Sequence, residues 1–322
     1  MEDEKNRTGP LMIALQYNDL FDLDSISASR DTDALPKGRA FAFVKCSLWT
    51  QAVQAVNERL VERSRTESLL FEVVLIAKEC SEEIKMKIVE SAKHHGLEIG
   101  KFFFCKKEEL MNTLRTNKVK LFLSAEGEDV CEALQSGIPA ASLYDGADDD
   151  HVLGRLKVIF SGDVIGFSED SLDSLSDFGF SETQIKTFKA AKICMKEFAV
   201  LIGQMRRRFG QENSPLCTCV LTSWGSRNVC ASALKTLREW GVDVDEAFCL
   251  AGAPCGPILA VVKPHVLWDG GLNNMRDLSA QRALSLAPAE GQGRFTDCMG
   301  HCAGKVKHCS SQRPQHQDRA PL

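Results

Sequence analysis

Nine short runs of β-branched, aromatic and other apolar residues are spread along the chain, with apolar patterns at helical spacing between them. The candidate strands are Leu11–Leu15, Phe71–Ala77, Lys101–Cys105, Lys120–Ser124 and Ala140–Tyr144. A second set follows at Lys157–Phe160, Cys217–Thr222, Ala247–Ala251 and His265–Trp268. Ile84–His94 and Cys230–Trp240 show the helical period. Such alternation predicts an α/β fold with a mainly parallel sheet. The two sets are also in step. Gly96 and Gly241, Phe103 and Phe248, Leu121 and Val266, and Leu15 and Phe160 each stand 145 positions apart. Side-chain character follows the same offset at Leu97/Val242, Ile99/Val244 and Ile76/Leu221. Ordinary βαβ units of similar length could give one such match. Agreement through four strands points to tandem duplication of one α/β unit.

The expected organisation is an N-terminal α/β unit over 11–150, a second over 151–278, and a tail over 279–322. The stretch Asp145–Asp150 reads as a solvated linker rather than a metal site. The tail is rich in Gln, Gly, Ser, Pro and Arg and is expected to be disordered. Its Cys298, His301, Cys302, His308 and Cys309 do not follow an established zinc spacing. The 13 cysteines are odd in number and scattered, and several lie in apolar segments, as in a reduced cytosolic protein. A net charge of −5 argues against a nucleic-acid surface. No apolar run reaches the ~20 residues of a membrane span. The polar, acidic start lacks the apolar core of a secretory signal.

The segment most informative about chemistry is Lys157–Asp170, KVIFSGDVIGFSED. A strand running into Asp-x-Asp is how phosphotransferases of the haloacid dehalogenase type present two acids. The first attacks phosphorus and holds magnesium; the second moves a proton to and from oxygen. Here the second acid is Asp163 and the first position is Ser161. Thr222 ends a later strand, where a hydroxyl and the following backbone can bind phosphate. Asp269 ends the last strand, where a magnesium carboxylate belongs. Carboxyl ends of strands are where open α/β sheets place their ligands.

With these residues in view, the chain resembles the cytosolic type I 5′-nucleotidases. The resemblance is carried by Ala233–Leu259 (ALKTLREWGVDVDEAFCLAGAPCGPIL), Arg39–Lys45, Ala55–Leu60, Lys120–Ala141 and the VIFSGDVIGFSED segment. It covers about Leu11 to Gly270. It implies a Rossmann-like core of haloacid dehalogenase type in the second unit, with helical cap-like insertions at Phe21–Leu70 and Phe167–Leu216. It further implies cytosolic, magnesium-dependent cleavage of nucleoside 5′-monophosphates, chiefly AMP. The site residues it implies are Ser161, Asp163, Thr222 and Cys255, with Asp163 and Asp269 toward Mg2+.

The departures from the family pattern fall on those same positions. Ser161 stands where the family has its nucleophilic Asp, Cys255 where it has Lys, and Gly270 where it has a second acid. Ser223-Trp224 replace Ala-Arg, and a Thr-Gly-Gly loop is replaced near Cys105–Lys107. A serine hydroxyl without an activating base is a weak nucleophile, and it brings no charge to magnesium. Cysteine supplies no fixed positive charge for a phosphoryl group. The expectation is a nucleotide-binding pseudoenzyme, either alone or paired with an active relative. The alternatives are a 5′-nucleotidase with weak or altered chemistry and an interaction protein working through its tail.

Other conspicuous residues take structural readings. Arg206–Arg208 end a long helix over Lys186–Phe209, where cations suit the dipole. His265 reads as a hydrogen-bonded structural histidine, and Trp224 as packing rather than base stacking. Residues of both units could frame one cleft, a point the sequence leaves open.

Overall fold

In a computed structural model, the chain is described over residues 10–22, 34–44, 52–144, 155–168, 172–173, 176, 181–209, 214–223 and 225–269. Nine strands form one sheet: β1 Leu11–Gln16, β2 Phe71–Lys78, β3 Lys101–Cys105, β4 Leu121–Ser124, β5 Ala140–Leu143, β6 Leu156–Ser161, β7 Leu216–Thr222, β8 Glu246–Cys249 and β9 Val266–Trp268. Their order is β3-β2-β1-β4-β5-β9-β6-β7-β8. All neighbours are parallel except β5 and β9. The central strands are buried along nearly their whole length, as strands covered on both faces must be.

The 145-residue offset holds at the level of register. Leu11 faces Phe71 on β2, and Leu156 faces Leu216 on β7. Val74 faces Lys101, and Cys219 faces Glu246. Ile13 faces Leu121, and Val158 faces Val266. The intervening helices keep the same step, at Glu82–His94 and Arg227–Glu239. Each is N-capped by a serine hydroxyl: Ser81 accepts the Ile84 N–H at 3.3 Å, and Ser226 accepts the Val229 N–H at 3.5 Å. Each is followed by a glycine at positive φ, Gly96 and Gly241, which ends the helix where a side chain would be strained. Strands β1–β4 and β6–β9 therefore repeat one order and register.

They meet head to tail. Because β5 runs antiparallel to β9, the carboxyl ends of β1, β2 and β4 lie at the opposite sheet edge from those of β6, β7 and β9. The carboxyl ends of β1 and β4 thus lie away from those of β6, β7 and β9, while Ser142 of β5 in the first half reaches Asp269 in the second. The extra strand β5 inverts the direction of everything beyond it.

Within the second insertion the main described element is the helix Glu182–Phe209, which buries Phe188, Ala191, Met195, Phe198, Ile202 and Met205. Phe198 packs against Trp268 with ring centroids 5.3 Å apart. The first insertion contributes Phe41–Val44 and Ala52–Arg63. Gly270, Trp224, the Asp145–Asp150 stretch and the tail with its Cys and His residues lie outside the described residues. No disulfide joins the described cysteines. Among the described residues no helix is long and apolar enough to cross a membrane.

Candidate functional site

Strand β6 delivers Ser161 to the carboxyl edge of the sheet. Its alternating Val158 and Phe160, with Ile159 between, are all fully buried, so the strand end is held fixed. Ser161 then caps the short helix Gly162–Gly166, its Oγ accepting the Val164 N–H at 3.4 Å. The turn fits closely under β7: a Cβ at Gly162 would stand 2.1 Å from Thr222 Oγ1. Glycine is required there by close approach, not by backbone angle.

Asp163 is buried against the loop that follows β7. Its Oδ2 accepts the Ser223 N–H and its Oδ1 the Gly225 N–H, each at 2.7 Å. The carboxylate clamps that loop by two charge-assisted bonds. Gly225 is needed for the clamp, since a Cβ there would lie 2.8 Å from Asp163 Oδ1. Thr222, at the end of β7, is fully buried, and its Oγ1 has no hydrogen-bond partner. A buried hydroxyl left unpaired costs on the order of 1–3 kcal/mol.

Asp269 follows β9 and is buried, and the Ser142 hydroxyl of β5 donates to its Oδ1 at 3.5 Å. Thus β5, the strand that joins the halves, also supports the last acid. Beside it, Trp268 Nε1 is buried without a partner.

Cys255 sits differently. It belongs to an apolar cluster with Ile159, Cys217, Cys219, Leu221, Leu259, Val262 and Leu267. Its counterpart 145 residues earlier is Leu110, also buried. The structure places this thiol in the core, as a small hydrophobe.

Among the described residues no group of three or more His, Cys, Asp or Glu side chains is placed to hold a metal ion. Both oxygens of Asp163 already accept backbone N–H groups, and Ser161 adds no charge. Magnesium prefers several oxygen ligands including carboxylates. The described residues alone do not make up a set of that kind.

The structural readings of the remaining residues follow their contacts. His265 Nδ1 accepts the Lys157 N–H at 3.1 Å, and the His265 N–H donates to Lys157 O at 3.0 Å. Arg206 is buried and paired with Asp245. Arg207 donates to Gly241 O, and Arg208 pairs with Glu67.

Sequence reasoning missed a second polar cluster, at the carboxyl ends of β1 and β4. There Gln16 donates to Ser124 Oγ at 2.9 Å and to Asp129, which also pairs with Lys78 at 2.7 Å. Asp19 accepts the Ala125 N–H at 3.2 Å. Burial pushes its carboxyl up to about 6, against the opposing pull of that N–H and of Arg39. The 145-residue offset carried the signal, since Gln16 and Ser124 are the counterparts of Ser161 and Asp269.

The repeated, mainly parallel sheet, with acids and a hydroxyl at the ends of β6, β7 and β9, defines an α/β protein with a candidate site at the carboxyl ends of its strands. The 5′-nucleotidase family model matches residues 13–289, and the chain belongs to that family. It is 32% identical over 263 residues to human (Homo sapiens) cytosolic 5′-nucleotidase 1B. That match covers 79% of this chain and 42% of the relative, so the chain spans less than half of the relative's length. No solved structure matches the chain.

Proposed function

We propose that this chain is a cytosolic nucleotide-binding member of its family, taking a nucleoside 5′-monophosphate such as AMP and not cleaving it at a family-like rate. Ser161 carries the reading. It stands where the family pattern has its nucleophilic aspartate, and its hydroxyl is engaged as a helix cap. No described His or Lys is bonded to it to take its proton. Asp163, the acid retained from the pattern, holds the loop after β7.

Support for binding comes from Thr222. Its buried, unpaired Oγ1 lies beside the Gly162 turn and the Asp163-clamped loop, and a phosphate oxygen would satisfy it. Binding through Thr222 and the Asp163-clamped loop does not require magnesium. A chain of this kind would act by sequestering nucleotide or by pairing with an active relative.

The test is a thermal-shift titration of the full chain with AMP, with and without magnesium. Saturable stabilisation is expected with AMP in either condition, reduced in Thr222→Val. Absence of any AMP response would remove nucleotide binding from the account.

A further inference from the structure

Because the halves share one register, every position in one has a counterpart in the other. Near the amino end of β7 the second half holds an ion network around the buried Arg206 and Thr218. The Arg206 guanidinium donates to both oxygens of Asp245 and to Thr218 Oγ1, the latter at 2.5 Å. Arg155 adds a contact to Asp245 at 3.4 Å. Asp245 is held below the usual carboxylate range: burial opposes this, and the Arg206, Thr218 N–H and Arg155 interactions outweigh it.

The first half has Pro10, Val61, Gly100 and Val73 at the counterparts of Arg155, Arg206, Asp245 and Thr218, and Val53 at that of Phe198. Most of these residues are smaller. The space is open there as a cavity of about 360 Å3, whose lining includes Pro10, Val53, Val73, Gly100, Glu72 and Glu98. The carboxylate has nevertheless been kept from another position. A Cβ on Gly100 would lie 2.9 Å from Glu72 Oε1, so Glu72 brings its carboxylate to where the Asp245 side chain begins in the other half. Neither guanidinium has a counterpart. Lys101, half exposed, reaches Glu72 at 3.2 Å.

We infer that this cavity binds a small molecule carrying a guanidinium group on a short aliphatic body. The site recreates around a ligand the pairing that the second half makes with its own arginines. Glu72 receives the planar guanidinium, whose fork matches a carboxylate. Glu98 adds a second negative charge, and Pro10, Val53 and Val73 cover the aliphatic body. The volume suits a ligand of that size. This site is at the opposite end of the strands from the polar cluster of Gln16 and Asp19, and it is independent of the nucleotide reading.

The test is calorimetric titration of the full chain with agmatine at low ionic strength, without nucleotide. Saturable one-to-one binding is expected, with Kd at or below about 1 mM. n-Butylamine, which lacks the fork, should bind at least about tenfold more weakly. Val53→Phe, which introduces the side chain found at position 198, should fill the cavity and abolish binding. Glu72→Gln should weaken it by about tenfold or more. Should Val53→Phe fail to fold, the Glu72→Gln variant, at a side chain still 23% exposed, decides the matter alone. No saturable binding at millimolar agmatine, or undiminished binding in Glu72→Gln, overturns the proposal.

Discussion

The ion network of the second half allows a double-mutant cycle in which the first half supplies the replacements. Arg206→Val installs the residue found at 61, and Asp245→Gly the residue found at 100. The Arg206 side chain is 7% exposed and is held away from water, whereas that of Asp245 is 21% exposed and meets solvent. Arg206→Val leaves the Asp245 carboxylate with the Thr218 N–H at 2.7 Å and Arg155 at 3.4 Å. Removing one partner of a fully buried pair costs about 3–5 kcal/mol; Asp245 meets solvent and keeps two partners, so this variant should cost less, about 1–2 kcal/mol. Asp245→Gly strands a guanidinium on Thr218 alone and should cost more. The double variant removes both members of the Arg206–Asp245 pair and leaves Arg155 on the Ser214 and Leu216 carbonyls, so its loss should fall short of the sum by at least about 1 kcal/mol. Urea unfolding at pH 7, followed by far-ultraviolet circular dichroism, measures all four corners. Asp245 has a lowered folded pKa, so its contribution is present above the unfolded value and lost as pH falls through the folded one. The coupling should accordingly shrink below about pH 4. Additivity within about 0.5 kcal/mol would refute the claim that these groups act as one unit.

Further consequences can be measured on single variants. Gly162→Ala forces a methyl to within 2.1 Å of Thr222 Oγ1 and should cost about 1–3 kcal/mol by urea titration; wild-type stability would show that the turn is free to move. Thr222→Val replaces a buried unpaired hydroxyl with a methyl, so the ligand-free chain should be unchanged or up to about 1 kcal/mol more stable, whereas AMP stabilisation falls. Asp19 has a folded pKa raised from 3.8 to about 6, so its ionisation should cost stability progressively across that window, by about 3 kcal/mol above it. Asp19→Asn should lack that dependence and be more stable at pH 7 but not at pH 4; equal pH profiles would contradict the assignment. Ser161→Asp alone should not bring family-like turnover, because Cys255 lies in an apolar cluster and no described metal-binding group accompanies it.

Much of the fold was legible in the sequence because the strands are short, apolar and bounded by helices. Lys101–Cys105 was bounded as found, and the others lie within a residue or two. The fixed offset anticipated a repeat that the registers bear out. The relative direction of the halves was not legible. It is set by the β5–β9 pairing, in which Ser142 meets Leu267 and Leu143 meets Val266, a long-range match without local signature. The positions of the candidate residues were legible where they follow a strand end, since Ser161 and Thr222 close β6 and β7 and Asp163 and Asp269 come just after β6 and β9. The surroundings of Cys255 were not legible, because its place in the core depends on Cys217, Cys219 and Leu267 arriving from two other strands. Glu72 likewise carried no hint, because its role depends on the absence of a side chain at Gly100.

The proposed function requires a phosphate group held beside Thr222 and a Ser161 hydroxyl that does not attack it. Phosphate release from AMP by the purified chain, with magnesium in excess and AMP occupancy followed in the same sample, tests this most directly. Occupancy without release above the buffer rate is the predicted result. Magnesium-dependent release that is abolished in Ser161→Ala would contradict it.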